Sequence, residues 1–175
     1  MRTPFAAVPA LAIGLLLAPA ARADACKVVD ASIKSTFFMV GCMSPVGICT
    51  RGEIRHGPLK GTTEFTALTL MPGPTDTTAV YTGVLVITTK HGTVTIHDRG
   101  VIDMTTGKFF EFDKVVNATK ELKGSHGLLT SQGVQTPTGF DATLTGAICK
   151  DGRDHDGRDH DGKDHDKDDD DDRDE

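Results

Sequence analysis

Between Thr78 and Met104 the chain reads TAVYTGVLVITTKHGTVTIHDRGVIDM. Both arms of this stretch are dominated by Val, Ile, Thr and Tyr, side chains that suit a pleated surface, and each reads as a long strand. His91-Gly92 lies between them, and an X-Gly pair at that place is a hairpin signal because Gly takes the positive φ such a turn needs. A two-residue turn at His91-Gly92 sets Leu85 opposite Asp98, Gly83 opposite Gly100 and Tyr81 opposite Ile102. Side chains alternate between the two sides of a strand. Val94, Ile96, Asp98, Gly100 and Ile102 therefore share one face with Thr89, Ile87, Leu85, Gly83 and Tyr81, and His97 and Arg99 fall on the other. Asp98 is the one charge on the more apolar face, and the facing glycines leave that face hollow beside it. A three-residue turn would slip the register by one, yet Asp98 would keep the company of Val94, Ile96 and Ile102, which lie on its own strand.

The neighbouring segments extend the same pattern. Lys27–Val40 alternates in part and reads as a first strand, and Gly52–Leu59 has room for a short one. In Gly61–Met71, Phe65, Ala67 and Thr69 face one way and Glu64, Thr66, Leu68 and Leu70 the other, until Pro72-Gly73-Pro74 stops the run. Lys108–Asn117 splits into Phe110, Phe112 and Lys114 against Phe109, Glu111, Asp113 and Val115. A short strand follows at Leu128–Ser131. Thr138–Ile148 closes the series with Phe140, Ala142, Leu144, Gly146 and Ile148 on one face. Some eight strands at short spacing, with no 3.6-residue period among them, predict an all-β antiparallel barrel or sandwich. Nineteen glycines fit its bulges and corners.

Both flanks differ in character from this core. Residues 1–23 carry a basic start at Arg2, an apolar run to about Leu17 and the small-x-small site Ala21-Arg22-Ala23, which is the pattern of a signal peptide cleaved after Ala23. The run is too short to span a bilayer, which takes about 20 residues, so no membrane span is expected and the chain reads as secreted or periplasmic. Residues 150–175 hold 14 acidic and 6 basic residues, a net −8 that accounts for the −6 of the whole chain. The core, 24–149, is near neutral and offers nothing basic for nucleic acid. The tail repeats DGRDH, DGRDH, DGKDH and then runs to Asp, a composition that cannot bury enough apolar surface to order itself. Its His155, His160 and His165 are candidates for weak divalent-cation binding; otherwise it is a solubilising segment.

Four cysteines lie in the exported part, and an even count in an oxidising compartment reads as two disulfides with three possible connectivities. Cys42 and Cys49 flank the turn-rich Ser-Pro-Val-Gly stretch, which brings them together. Cys26 and Cys149 then tie the two ends of the core.

Val116–Leu128, VNATKELKGSHGL, resembles a degraded form of the glycine motif of the allene oxide cyclase and dirigent barrel superfamily, with Leu122, Gly124, Gly127 and Leu128 at the aromatic, glycine and aliphatic positions. The preceding HGTVTIHDRGVIDMTTGKF and the closing Gly146–Cys149 are similar to bacterial members. Asn117 and Lys120 stand where the motif has glycines, and Leu122 replaces its Tyr or Phe. The resemblance covers Cys26–Cys149. It implies a single eight-stranded antiparallel barrel with a cavity, often assembled as a homotrimer, and it carries over no catalytic residue. Members include cyclases and radical-coupling guides, and a shared fold does not choose among them.

Three readings of function follow. The first is a barrel binding a small apolar ligand in a cavity formed by Tyr81, Gly83, Leu85, Ile96, Asp98 and Gly100, with no cofactor. The second is a cyclase or isomerase using Asp98 as general acid or to stabilise cationic charge, with Glu64 and Tyr81 as further candidates. The third is a structural envelope protein whose barrel is filled and whose acidic tail holds cations. Against the first two stands the reading of Asp98 as a structural carboxylate that hydrogen-bonds neighbouring backbone or Arg99 at a barrel rim.

Overall fold

The computed structural model describes residues 25–150. Residues 1–24, which include the expected signal peptide, and the repeat tail from Asp151, with His155, His160 and His165, lie outside the described residues. Eight strands follow one another: β1 (Ala25–Phe37), β2 (Cys49–Ile54), β3 (Gly61–Pro72), β4 (Thr78–Thr89), β5 (Gly92–Asp103), β6 (Lys108–Ala118), β7 (Ser125–Thr136) and β8 (Gly139–Lys150). A single 3-10 turn, Lys120–Leu122, sits between β6 and β7. Each strand pairs antiparallel with the next, and β8 returns to β1 to close a barrel. Closure leaves no unpaired edge, and eight strands enclose a space that side chains fill or that holds one small ligand.

The final seam is long. β1 and β8 pair from Ala25↔Lys150 to Thr36↔Gly139, with Cys26 directly opposite Cys149. That pair is a disulfide with Cα atoms 3.9 Å apart, and Cys42 is joined to Cys49 at 5.6 Å. Both pairings are those the spacing predicted, and two disulfides fit an oxidising compartment. The barrel runs one residue further than expected, since Lys150 still belongs to β8.

The β4–β5 hairpin differs from its expected register. Its two-residue turn is Lys90-His91, so Thr89 faces Gly92, Gly83 faces Asp98 and Tyr81 faces Gly100. Every pair is displaced by two residues from the expected one. Because side chains alternate with period two, a displacement of two leaves both faces intact, and Asp98 still points inward. Gly92 follows the turn as the first residue of β5, with φ 138°. A Cβ there would collide with the carbonyl of Thr119, whose N–H donates to Thr93. Gly92 is therefore needed for the close approach of the β6–β7 connection, and the turn tip is held from the same side by His91 Nδ1 and Glu121 Oε2 at 2.6 Å.

A second difference lies in β3, where pairing with β4 jumps from Ala67↔Gly83 to Thr69↔Thr82. Leu68 is the extra residue of a β-bulge, which reverses the alternation beyond it. Thr69 consequently bonds Thr82 side chain to side chain at 2.8 Å, and Leu70 turns toward the barrel mouth. β2 is also displaced, covering Cys49–Ile54 rather than the Gly52–Leu59 stretch, and β7 is a full-length strand rather than four residues.

The interior is divided along its axis. At the end bearing the β4–β5 turn, Ile54, Leu59, Ile87, Val94, Ile96 and Leu129 form a closed apolar core, each at most 1% exposed. Near the other end, Ala79, Ile102 and Phe109 cluster with Tyr81, Phe140 and Ala142. On the outside, β1–β3 carry exposed Asp30, Lys34, Arg51, Glu53 and Glu64. Among the described residues no helix is long and apolar enough to cross a membrane.

Candidate functional site

Between the two apolar clusters the barrel holds carboxyl groups. β5 contributes Asp98, 3% exposed, and β6 contributes Asp113, 0% exposed, as its cross-strand partner. Two residues nearer the mouth, Glu111 of β6 faces Gly100 of β5 on one side and Ser131 of β7 on the other. Alternation fixes all of these directions, because Phe109, Glu111, Asp113 and Val115 form the inward set of β6, while Phe110 and Phe112 stand outside, ring centroids 5.0 Å apart.

Gly100 makes the first layer possible. Tyr81 on β4 and Glu111 on β6 flank it, and across the space above it the Tyr81 hydroxyl donates to Glu111 Oε1 at 2.7 Å. A Cβ on residue 100 would lie 2.6 Å from Tyr81 Cζ and 2.8 Å from Glu111 Cγ. Gly83 is occupied in a similar way, for its absent Cβ leaves room for the ring of Phe65. The hollow expected beside Asp98 is thus taken up by three large side chains. Gly100→Ala should push Tyr81 or Glu111 aside and cost about 1–3 kcal/mol, as overpacking does. Thermal melting of the variant, together with loss of a Tyr81 ultraviolet signature of the hydrogen-bonded phenol, checks this.

The second layer is less well satisfied. Ser131 Oγ donates to Asp113 Oδ2 at 2.5 Å, but Oδ1 of Asp98 and Oδ1 of Asp113 are buried and receive nothing from a backbone N–H, a hydroxyl or a basic side chain; the two carboxyls bond each other. Arg99, the expected alternative partner of Asp98, is exposed on the outer face of β5. Burial pushes Asp98 well above the ordinary carboxylate range, and the neighbouring Asp113 and Glu111 charges push it further. Burial also raises Glu111 to about 7, aided by the Asp113 charge and opposed by the hydrogen bonds from Tyr81 and Ser131. Asp113 is raised by burial to about 6, with its side-chain hydrogen bonds to Ser131 and Asp98 holding it down. The Tyr81 phenol is raised above its ordinary value by burial and then by the Glu111 charge.

These groups border a cavity of about 110 Å³ that opens at the end opposite the closed core. Asp98, Glu111, Tyr81 and Ser131 line it, with Phe65, Leu85, Ile102, Phe109 and Phe140 as apolar walls and Leu70, Met104 and Gln135 at the mouth. The loop closed by Cys42–Cys49 delivers Ile48 and Thr50 to the same wall.

Of the expected cavity residues, Tyr81, Leu85 and Asp98 line this space. Ile96 lies deeper, in the closed core, and Gly83 and Gly100 are covered by the side chains they accommodate. Glu64 does not belong to the site: it is on the outer face, where its Oε2 accepts from Arg51 Nε at 3.1 Å. β3 places Thr63 and Phe65 inward, so Glu64 between them must point out. Glu111, Asp113 and Ser131 were not anticipated. In KFFEFDKVVN each face holds at least one Phe, so hydrophobicity did not say which face is inner; the inward placement of Asp98 on the adjacent strand was the only available hint. Among the described residues no group of three or more His, Cys, Asp or Glu is disposed to hold a metal ion. Comparison of the chain with family models, with curated proteins and with solved structures returns no match.

Proposed function

We propose that this chain is an exported small-molecule-binding barrel of the allene oxide cyclase and dirigent kind, whose ligand enters at the mouth between Leu70 and Met104. The observation that carries this reading is the cavity of about 110 Å³ that Asp98 and Glu111 line: a barrel that served only as a filled scaffold would have closed that space with side chains, as the opposite end does. A largely apolar pocket with a few convergent polar groups of perturbed pKa is the usual form of a ligand site. Native-condition mass spectrometry of the purified protein tests it. A small molecule should co-purify at least tenfold more abundantly than with Leu85→Trp, which fills the pocket. Absence of any bound molecule, together with no uptake of the apolar dye Nile red, would defeat the reading.

A second reading, an isomerase or cyclase, is favoured by one further observation. Burial holds the Asp98 carboxyl well above the ordinary carboxylate range while it faces the cavity, a shift in the direction a general acid needs. Asp98→Asn should then lower turnover by about 10²–10⁴-fold while a bound ligand is still retained. The third reading, a cation-holding envelope protein, depends on the tail.

A further inference from the structure

We propose that the molecule this cavity accepts is a small, mainly apolar amine, seated with its ammonium nitrogen against Asp98 and Glu111. The proposal rests on the ligand-binding reading above and names the class of ligand. It begins from an imbalance of donors and acceptors. Three carboxyl groups meet inside the barrel, and not one Lys, Arg or His lines the cavity beside them. The two hydroxyl donors within reach are already engaged, Tyr81 with Glu111 and Ser131 with Asp113. Asp98 lines the cavity and is 3% exposed, and the partner of its carboxyl is another acid, Asp113; no N–H, hydroxyl or basic side chain reaches its Oδ1. Buried polar atoms in native proteins are nearly always hydrogen-bonded, and each exception calls for an explanation. An ammonium group provides up to three donors and a compensating charge.

The remaining chemistry selects against other ligands. A carboxylate or phosphate would find no basic side chain to pair with. A metal ion lacks a converging set of three ligands among the described residues. The walls suit an organic cation, because Tyr81, Phe65, Phe109 and Phe140 present aromatic surface, which attracts cations by its quadrupole as well as burying apolar area.

Charge linkage follows. The titratable groups lining the site are Tyr81 from β4, Asp98 from β5 and Glu111 from β6, with Asp113 of β6 beside Asp98 as its cross-strand partner; β1, β2, β3, β7 and β8 present only apolar, hydroxyl and amide side chains to it. An ammonium favours the ionised acids, so binding should release protons and strengthen as pH rises through the range in which Glu111 and Asp113 titrate.

The test uses the chain with its acidic tail and three matched probes: 2-phenylethylamine, 2-phenylethanol and 3-phenylpropanoate. Calorimetric titration at pH 8 should show the amine binding at least tenfold tighter than the alcohol and the carboxylate weakest. Amine affinity should fall about tenfold at pH 5, and titration in two buffers of different ionisation enthalpy should show proton release. Asp98→Asn combined with Glu111→Gln should reduce the amine preference to about one, with melting curves confirming that the variant folds. Amine binding that survives this variant is adsorption to the tail and overturns the proposal. If the alcohol or the carboxylate binds as tightly as the amine, the proposal fails while the cavity reading stands. If no probe binds, both fail.

Discussion

Replacing Cys26 and Cys149 together by serine should lower stability by about 4–5 kcal/mol in the chain-entropy description of cross-links, and the melting temperature by roughly 15–20 °C. The disulfide spans 123 residues of sequence, so nearly the whole barrel is the loop it closes. It joins the first strand to the last at their outer ends, where Cys26 and Cys149 are already facing partners. Unlinked, the ends of the chain must find each other before the seam between β1 and β8 can form, and that search is the entropy removed by the bond. The folded barrel itself should survive, because the seam continues for ten more paired positions beyond the cysteines, Lys27↔Ile148 to Thr36↔Gly139. The comparison is Cys42→Ser with Cys49→Ser, whose bond spans only 7 residues and should contribute about 2–2.5 kcal/mol. Thermal unfolding followed by far-ultraviolet circular dichroism separates the two. Equal losses from both double variants would mean that loop length does not govern the stabilisation.

Stability should also fall as pH rises from about 5 to 8, lowering the melting temperature by about 10 °C or more, on the order of 3 kcal/mol or above. The sign follows from proton counts. Glu111, Asp113 and Asp98 are all raised in the folded barrel, so the native state holds more protons than the unfolded chain between the ordinary carboxylate range and the raised values. Their contribution is complete below the unfolded pKa and is lost as pH climbs through the folded one. Glu111, moved from 4.5 to about 7, represents roughly 3 kcal/mol by itself. Asp113 adds to the same window up to about 6, and Asp98 extends it upward. Asp103 acts in the opposite sense, since the N–H groups of Thr105 and Thr106 donate to Oδ1 at 2.8 and 3.2 Å and hold its pKa down; its share is lost only as pH falls below the carboxylate range. Asp98→Asn or Glu111→Gln should therefore raise the melting temperature at pH 8 and flatten its pH dependence. A profile that rises toward pH 8 would show that the three acids are ionised and paired in the barrel. A bound amine should reverse the effect at high pH by supplying the missing charge. Acids retained at a cost to stability are what a functional site commonly carries.

The amino-acid sequence by itself determined the all-β class, the two faces of the β4–β5 hairpin and the staples. Alternation in TAVYTGVLVITT and GTVTIHDRGVID is strong because one side of each strand is buried, and it placed Asp98, Tyr81 and Leu85 correctly even though the turn was expected one residue too late. A period of two forgives a register displacement of two, which is why the faces survived the error. The cysteine pairs were legible from spacing alone. Tertiary structure decided which groups meet. Glu64 was a weaker candidate carboxylate for the same cavity, and the pleat turned it out to Arg51. Leu70 changed sides because Leu68 forms a bulge that no hydrophobic pattern marks. Asp113 stands beside Asp98, and Glu111 meets Tyr81 over Gly100, only because β6 pairs with β5 in one register. Local sequence sets the direction of a side chain relative to its own strand, but the distance between charges on different strands exists only once the sheet has closed.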